Sequence, residues 1–503
     1  MGSTFSSYQI AKSGLYTAQR GLFVTGHNIS NVNTSGYVRQ QVMFVESTPA
    51  KYGKIQIGLG ADIQETRQIR NSFLDNMYRS ENELLGYWEA RSKTIQELES
   101  ILGEPVGQRL QEVIDEFFDG WQELSKDPSS LTVRALLRQR ATVLVNTINH
   151  IGTQLDKLQM DLNEEIKLKV NEINNIAAKI AKLNVSIVAN EGTGDNANDL
   201  RDQRNLLLDE LSKLINIDIY EQSNGSVSVM VGGVFLVHGG EAEKMIAGNN
   251  GEKTLFVTPL WEKDNSKVAL SGGTLKGLIE ARGDVAAYGG SIENGSVIES
   301  GYTMKDIEND ANSDLYRFDP QSTNIIPELK RGLNILVNLL ARTVNAIHRE
   351  GVALDGSIGH NFFTKINQDL PFEMNNIQVN PDFIDLDLIA ASITGESGDN
   401  TIAQRIVELR NREFMKSKNL TLNVYDFYQS IITWVGTSGQ EAERVTQNQN
   451  ILLTQIQNSR DATSAVAMDE ELANMIKYQH SYNASARIIN VIDEMIETVI
   501  NKL

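Results

Sequence analysis

The chain has 503 residues, 41 % of them hydrophobic, enough for several packed cores and too many for global disorder. A formal net charge of −19 opposes binding to nucleic acid or to an anionic lipid surface. The absence of cysteine excludes disulfides and thiolate metal centres, and no apolar run reaches the roughly eighteen residues of a membrane-spanning helix.

Taken in chain order, residues up to about Ile29 predict a helix. Tyr8, Leu15, Leu22 and Ile29 fall seven residues apart, with Ala11, Ala18 and Thr25 between them, so one face carries a heptad stripe. The run from Asn28 to Tyr37 is rich in Asn and Ser and contains Gly36, which ends the helix. Gln41 to Ile63 alternates as an extended stretch or hairpin. Ile69, Phe73, Met77, Leu84, Trp88, Ile95, Leu98 and Leu102 mark a second helix, stopped by Gly103 and Pro105, and a shorter helix covers Leu110 to Leu124.

After Pro128, apolar residues keep helical spacing from Val133 to Ile166 and, after a phase change, from Ile173 to Ile187. A helix of about 55 residues would be ~80 Å long, so a rod element or a bent helix pair is expected. A further helix runs from Leu200 to Ile215. Ile217 and Ile219, then Val227, Val229 and Val231, alternate about Asn224-Gly225, which predicts a type I′ hairpin. The chain stays rich in Gly, Ser and Asn to about Asp319. Helix returns from Pro327 to Arg349, residues 351–398 read as irregular, and helices resume at Thr401 with breaks near Ser417 and at Gly436–Gly439. A second stripe closes the sequence: Met468, Leu472, Met475, Gln479, Tyr482, Ala486, Ile489, Ile492, Ile496, Val499 and Leu503 recur at three- and four-residue steps.

The expected fold is α+β, mainly α with an inserted β-rich part: coiled-coil-like terminal helices, a long helical rod domain and an outer β-rich domain. The divisions read as 1–36, an N-terminal inner helix with an Asn-rich turn; 37–70, an extended segment; and 71–215, the first part of the rod domain. Then come 216–324, the inserted β-rich domain; 325–350, a returning helix; and 351–400, an irregular segment. The rod domain finishes over 401–465, and 466–503 is a C-terminal inner helix paired with the N-terminal one. Stripes at both ends fit a polymer subunit whose termini pack on each other or on neighbours. The candidate assembly interface is therefore Tyr8, Ala11, Leu15, Ala18, Leu22 and Ile29 with Met468, Leu472, Met475, Gln479, Tyr482, Ala486, Ile489, Ile492, Ile496, Val499 and Leu503. The polar members Thr25 and Gln479 either fix register or face solvent.

Signals of catalysis are missing. None of the six histidines opens a His-Glu-x-x-His helix, and neither a Gly-x-Ser-x-Gly elbow nor a phosphate loop occurs. Gly58-Leu59-Gly60 suits a turn. Asp195-Asn196-Ala197-Asn198-Asp199 resembles part of a calcium loop but misplaces its glycine and closing Glu. No catalytic, cofactor-binding or metal-ligating residue is assigned, and no cofactor is expected.

Ser13-Gly14-Leu15 followed by Asn28-Ile29-Ser30-Asn31-Val32-Asn33-Thr34-Ser35-Gly36-Tyr37 resembles the N-terminal motif of the axial proteins of the bacterial flagellum, the rod, hook and hook-associated proteins. Asp469-Glu470-Glu471-Leu472, Tyr478-Gln479, Asn483-Ala484-Ser485-Ala486-Arg487-Ile488-Ile489 and Asp493-Glu494-Met495 resemble their C-terminal motif. Arg39-Gln40, the run Asn198–Arg204 with Leu208–Ser212, the run Gly273–Arg282 and Val344–His348 with Phe362-Phe363 are similar to motifs of the hook-associated members. The likeness covers most of the chain and is weakest at 285–324.

The resemblance implies a structural, non-enzymatic subunit at the junction between hook and filament, needed for filament assembly and motility. It implies terminal helices lining a tube, self-association in a tubular lattice, the hook protein on one side and the next hook-associated protein on the other. It also implies a cytoplasmic export chaperone at the C-terminal region and secretion to the extracellular flagellum by the type III apparatus, which suits the lack of a cleavable leader. Alternatives are the hook protein itself, an enzyme displayed on a flagellar scaffold with its site inside 216–324, or an unrelated cytoplasmic coiled-coil scaffold.

Overall fold

The computed structural model describes residues 2–52, 55–103, 110–192, 194, 196–249, 256–283, 303–311, 313, 316–396 and 398–502. Most of the segment at 285–324 where the family likeness fades, Asp195 of the calcium-like run, and Leu503 lie outside them.

Helix α1 spans Gly2–Ser30. It ends where the Asn31 amide hydrogen divides between the His27 and Asn28 carbonyls, and Gly36 (φ 78°) supplies the left-handed residue of the following turns. Strand β1 (Gln40–Glu46) pairs antiparallel with β4 (Ala61–Gln68), with a bulge at Met43/Phe44, and β2 (Ala50–Tyr52) and β3 (Ile55–Ile57) pair between them. The extended stretch at 41–63 is thus a long hairpin. Asn71 caps α2 (Ser72–Ile101), which is followed by α3 (Leu110–Lys126). Ser130 caps α4 (Leu131–Glu191) by accepting from the Val133 amide. Helix α4 is one uninterrupted helix of 61 residues, about 90 Å long. The apparent phase change does not split it into a pair: Leu162, Ile166, Val170, Ile173 and Ala177 are buried at four- and three-residue steps, so a single buried stripe carries on through that point.

Helix α5 (Asn198–Leu214) leads to a four-stranded antiparallel sheet of β5 (Asp218–Glu221), β6 (Val227–Val231), β7 (Val234–His238) and β8 (Glu241–Ala242). The turn at Asn224-Gly225 is not type I′. The Gln222 amide bonds to the Ser226 carbonyl, leaving a three-residue loop in which Gly225 (φ 82°) is left-handed and Asn224 is not. The Asn224 carboxamide instead accepts from the Ser226 amide, an Asx turn that the dipeptide alone does not reveal. The pair β9 (Met245–Gly248) and β10 (Thr258–Trp261), then α6 (Gly273–Arg282), α7 (Met304–Ala311) and β11 (Arg317–Phe318), lead to α8 (Ile325–Arg349). Helix α8 is buried along almost its whole length, and α3, α4, α6 and the later segments pack round it.

The chain continues through β12 (Phe363–Thr364), β13 (Gln378–Val379), two 3-10 turns at Pro381–Ile384 and Leu386–Leu388, and α9 (Thr401–Glu408). A hairpin of β14 (Met415–Ser417) and β15 (Leu420–Leu422) accounts for the break at Ser417, with β14 also parallel to β11. Helices α10 (Val424–Ser464) and α11 (Met468–Lys502) finish the chain. Contrary to the expected break at Gly436–Gly439, α10 runs straight through. Gly439 lies where α10 meets α2, and a Cβ there would sit 3.0 Å from Ile95 and Glu99, so the glycine serves close helix packing.

Asparagines on the long helices hold the irregular segments. Asn174 donates to the Met245 carbonyl and accepts from its amide, and Asn345 does the same with Phe363. Asn184 donates to Val227 and Gly239 carbonyls while accepting from the Val227 amide. A carboxamide used in this way replaces a strand neighbour, so short strands dock on helices without leaving buried backbone groups unpaired. Trp121, His348, Phe362 and Phe383 form an aromatic cluster beneath the 351–400 segment.

Candidate functional site

The two terminal helices lie antiparallel against each other. Gly14 meets Ser485, Gly21 meets the Tyr478 ring and Asn28 meets Glu471, so contacts on both helices step by seven residues. A Cβ at residue 21 would stand 2.7 Å from the Tyr478 ring, and one at residue 14 would stand 2.8 Å from Ser485 Oγ. Hydrogen side chains let the backbones approach, and Ala11, Ala18, Val24 and Thr25 fill the rest of the buried face. Thr25 therefore faces protein.

The residues singled out from the sequence divide into two groups. Ala11, Ala18 and Ile492 are buried, and Leu15, Leu22, Ile29, Met475, Ala486 and Ile489 are half-buried against the partner helix. Tyr8, Met468, Leu472, Gln479, Tyr482 and Ile496 face solvent in the single chain, and Leu503 and the Val499 side chain lie outside the described residues. Large apolar side chains also stand on the outer faces: Tyr16 and Phe23 on α1, and Ile476, Ile488, Val491 and Met495 on α11, with Phe23 64 % and Met495 57 % exposed. The pair thus buries one seam and presents two more.

The β1–β4 hairpin braces the pair. Ser13 Oγ accepts from the Ala61 amide, Arg20 donates to Thr66 Oγ1, and Phe44 packs edge-on against Tyr478. Where the pair meets the rod, a polar joint closes the chain's two ends together. Asn28 uses its whole carboxamide: Nδ2 donates to the Gln40 carbonyl and to Glu471, and Oδ1 accepts from Tyr37 Oη and the Gln40 amide. Arg39 binds Glu471 at 2.7 Å and Glu470 at 2.6 Å, and its amide donates to the Ser464 carbonyl. Glu471 is buried and doubly paired, as a buried carboxylate must be.

The joint continues into α5 through Asp202, which accepts from the Val38 amide and Gln68 and lies 3.6 Å from Arg70. Burial pushes the Asp202 carboxyl up to about 7 against those donors. Burial, then the charges of Asp199, Asp202 and Glu471, raise the Tyr37 hydroxyl, keeping it a neutral donor. Arg460 near the end of α10 bridges Asp75 of α2 (2.9 Å) and Asp209 of α5 (2.8 Å), tying three helices just above.

Sequence reasoning missed Gly14 and Gly21 because it followed large apolar residues. The signal was present one position earlier, where Gly14, Gly21 and Asn28 recur at the same seven-residue interval. Among the described residues no cluster of His, Asp and Glu could hold a metal ion, and no helix is long and apolar enough to cross a membrane. The arrangement offers packing surfaces and a rigid joint.

A model of the flagellar hook-associated protein FlgK helical domain matches residues 95–363, and one of the flagellar basal body rod FlgEFG protein C-terminal region matches 457–503. The chain is 29 % identical to flagellar hook-associated protein 1 of Bacillus subtilis, across 100 % of this chain and 99 % of that one. It is 22 % identical to flagellar hook-associated protein 1 of Escherichia coli, across 98 % of each. A solved structure of the flagellar hook junction protein FlgK from Burkholderia pseudomallei superposes with a TM-score of 0.60 at 14 % identity, covering 78 % of this chain and 100 % of that one.

Proposed function

This chain belongs to the FlgK family of flagellar hook-associated proteins, and on that premise we propose that it joins hook to filament by inserting its terminal helix pair into a tubular wall of like pairs. It is a structural component of the flagellum, and catalysis is no part of its work. The single observation that carries the reading is the outer surface of the pair, where Tyr16, Phe23, Ile476, Ile488, Val491 and Met495 stand exposed on helices that already share a buried seam. Exposed apolar stripes of this extent mark association surfaces. Burying each side chain is worth roughly 1.5–3 kcal/mol.

In this reading the interface residues named from the sequence take two roles. Ala11, Ala18 and Ile492 hold the pair together, while Tyr8, Met468, Leu472, Tyr482 and Ile496 join the outer stripes that neighbouring copies cover. The hook protein lies on one side of the junction and the next hook-associated protein on the other. Before assembly an export chaperone shields the C-terminal stripe, and the chain leaves through the type III apparatus to its extracellular place.

Phe23→Asp combined with Val491→Asp tests the proposal, since both side chains stand outside the intramolecular seam. The variant should fold with an unchanged circular-dichroism spectrum and melting temperature. It should nevertheless fail to form the single immunogold band between hook and filament, with flagellin released unassembled. A normal band and normal filaments would contradict the reading.

A further inference from the structure

The chain is strongly acidic, yet one cleft of about 450 Å³, where β4, the start of α2, α5 and β5 meet, gathers five arginines. Three are neutralised in place. Arg70 pairs with Asp75 and stands near Asp202, Arg79 pairs with Asp209, and Arg201 pairs with Glu191 and Glu221.

The other two are held less closely. Arg67 donates to Gln41 Oε1 at 3.3 Å, and among the described residues no carboxylate pairs with it. Arg204 is only 2 % exposed. Its Nη1 donates to Asn184 Oδ1 and the Gly225 carbonyl, but its Nε has no partner. Its Nη2 is 3.9 Å from Glu221, beyond hydrogen-bond reach, and that carboxylate is already held by Arg201 at 2.6 Å. Burial, and then the charge of Arg201, lower the Arg204 guanidinium to about 10. A guanidinium withdrawn from water whose one carboxylate partner is distant and shared with Arg201 is only weakly balanced. The positive ends of two helices add to it, since α2 and α5 both begin at the cleft and α5 is capped by Ala197, which has no side-chain acceptor.

We propose that this cleft is an oxyanion site, taking a sulfate-, phosphate- or carboxylate-type group on Arg67 and Arg204. Guanidinium forks match such groups with paired, charge-assisted hydrogen bonds. The source is either an inorganic ion or the carboxylate of an acidic side chain on a neighbouring copy. Whichever the source, the site does not depend on the reading of the terminal helices.

The test is calorimetric titration of the soluble full-length chain with sodium sulfate at constant ionic strength, with sodium chloride as reference. The wild type should show saturable sulfate binding and a matching rise in melting temperature. Arg67→Gln, on the exposed edge, should weaken the affinity by about tenfold or more. Arg204→Lys keeps the charge, loses the guanidinium fork, and should weaken it as well. Arg412→Gln, a remote control, should leave it unchanged. Sulfate that behaves like chloride, an unaltered affinity in Arg67→Gln, or an equal loss in Arg412→Gln would each overturn the site.

Adding saturating sulfate while the chain assembles onto isolated hooks then separates the two sources. Slowed addition of wild type but not of Arg67→Gln identifies a neighbour's carboxylate. Equal addition of both, with the calorimetric result intact, identifies an inorganic ion.

Discussion

His348 shows how far one buried side chain can set the conditions under which the rod domain holds. It lies fully inside, between Trp121, Phe362 and Phe383. Its Nδ1 hydrogen donates to the His360 carbonyl at 2.5 Å, and its Nε2 accepts from the Ala390 amide at 2.9 Å. Protonation at Nε2 would oppose two N–H donors and place a charge among aromatic rings. Burial accordingly lowers the group from 6.5 to about 4. Because the unfolded chain takes up this proton first, the stability from neutral His348 is complete above pH 6.5 and is lost as the pH falls toward 4. The loss at pH 4 is on the order of 3 kcal/mol. Asp202, raised to about 7, acts in the opposite sense, penalising the folded chain as the pH rises from its ordinary value toward 7. Denaturant unfolding of wild type and His348→Gln at pH 7 and pH 4 separates them. The stability difference between the two proteins should shrink by most of that amount at the lower pH; an unchanged difference would show that His348 is not the proton-linked group.

At the scale of elements, the asparagines of α4 do what the sequence pattern hides. Asn184 →Ala removes bonds to the Val227 and Gly239 carbonyls, to the Val227 amide and to Arg204. It should cost about 3 kcal/mol, since several buried polar groups lose partners together. Hydrogen exchange should rise first in β6 and β7; equal protection of those strands in both proteins would remove the carboxamide from its bridging role. Helix α4 itself was legible, because Leu137 to Ile187 keep helical spacing with no proline. The strands that dock on it were less so. Many have four residues or fewer, and their register is set by side chains such as Asn174 and Asn345 far away in sequence. The uninterrupted course of α10 through Gly436 and Gly439 was hidden for a related reason. A glycine that lets two helices touch and a glycine that ends a helix look alike until the partner, here α2, is in place.

Over the whole molecule, the chain begins and ends at the same place. Helices α1 and α11 lock together through Gly14, Gly21 and the Asn28–Glu471 bond, and Arg39 joins Glu471 of the pair to the Ser464 carbonyl at the end of α10. The rod then carries the β-bearing segments along α4 and α8. The existence of the terminal pair was legible from two heptad stripes more than 430 residues apart. Which face is internal was not, because the internal seam uses the smallest residues and leaves large ones such as Tyr16 and Phe23 outside. In a monomeric enzyme those outer residues would be a liability for solubility; in the wall we propose, they would be the means of joining.

Oxidative footprinting of Tyr16, Phe23 and Met495, comparing the soluble full-length chain with the same chain in purified hook–filament junctions, tests this division of faces most directly. The structure leaves all three exposed in the single chain, so they should react readily there and about tenfold or more slowly once neighbours cover them. Equal reaction rates in the two states would show that the outer stripes stay in water, and the terminal pair would then not be the surface through which copies join.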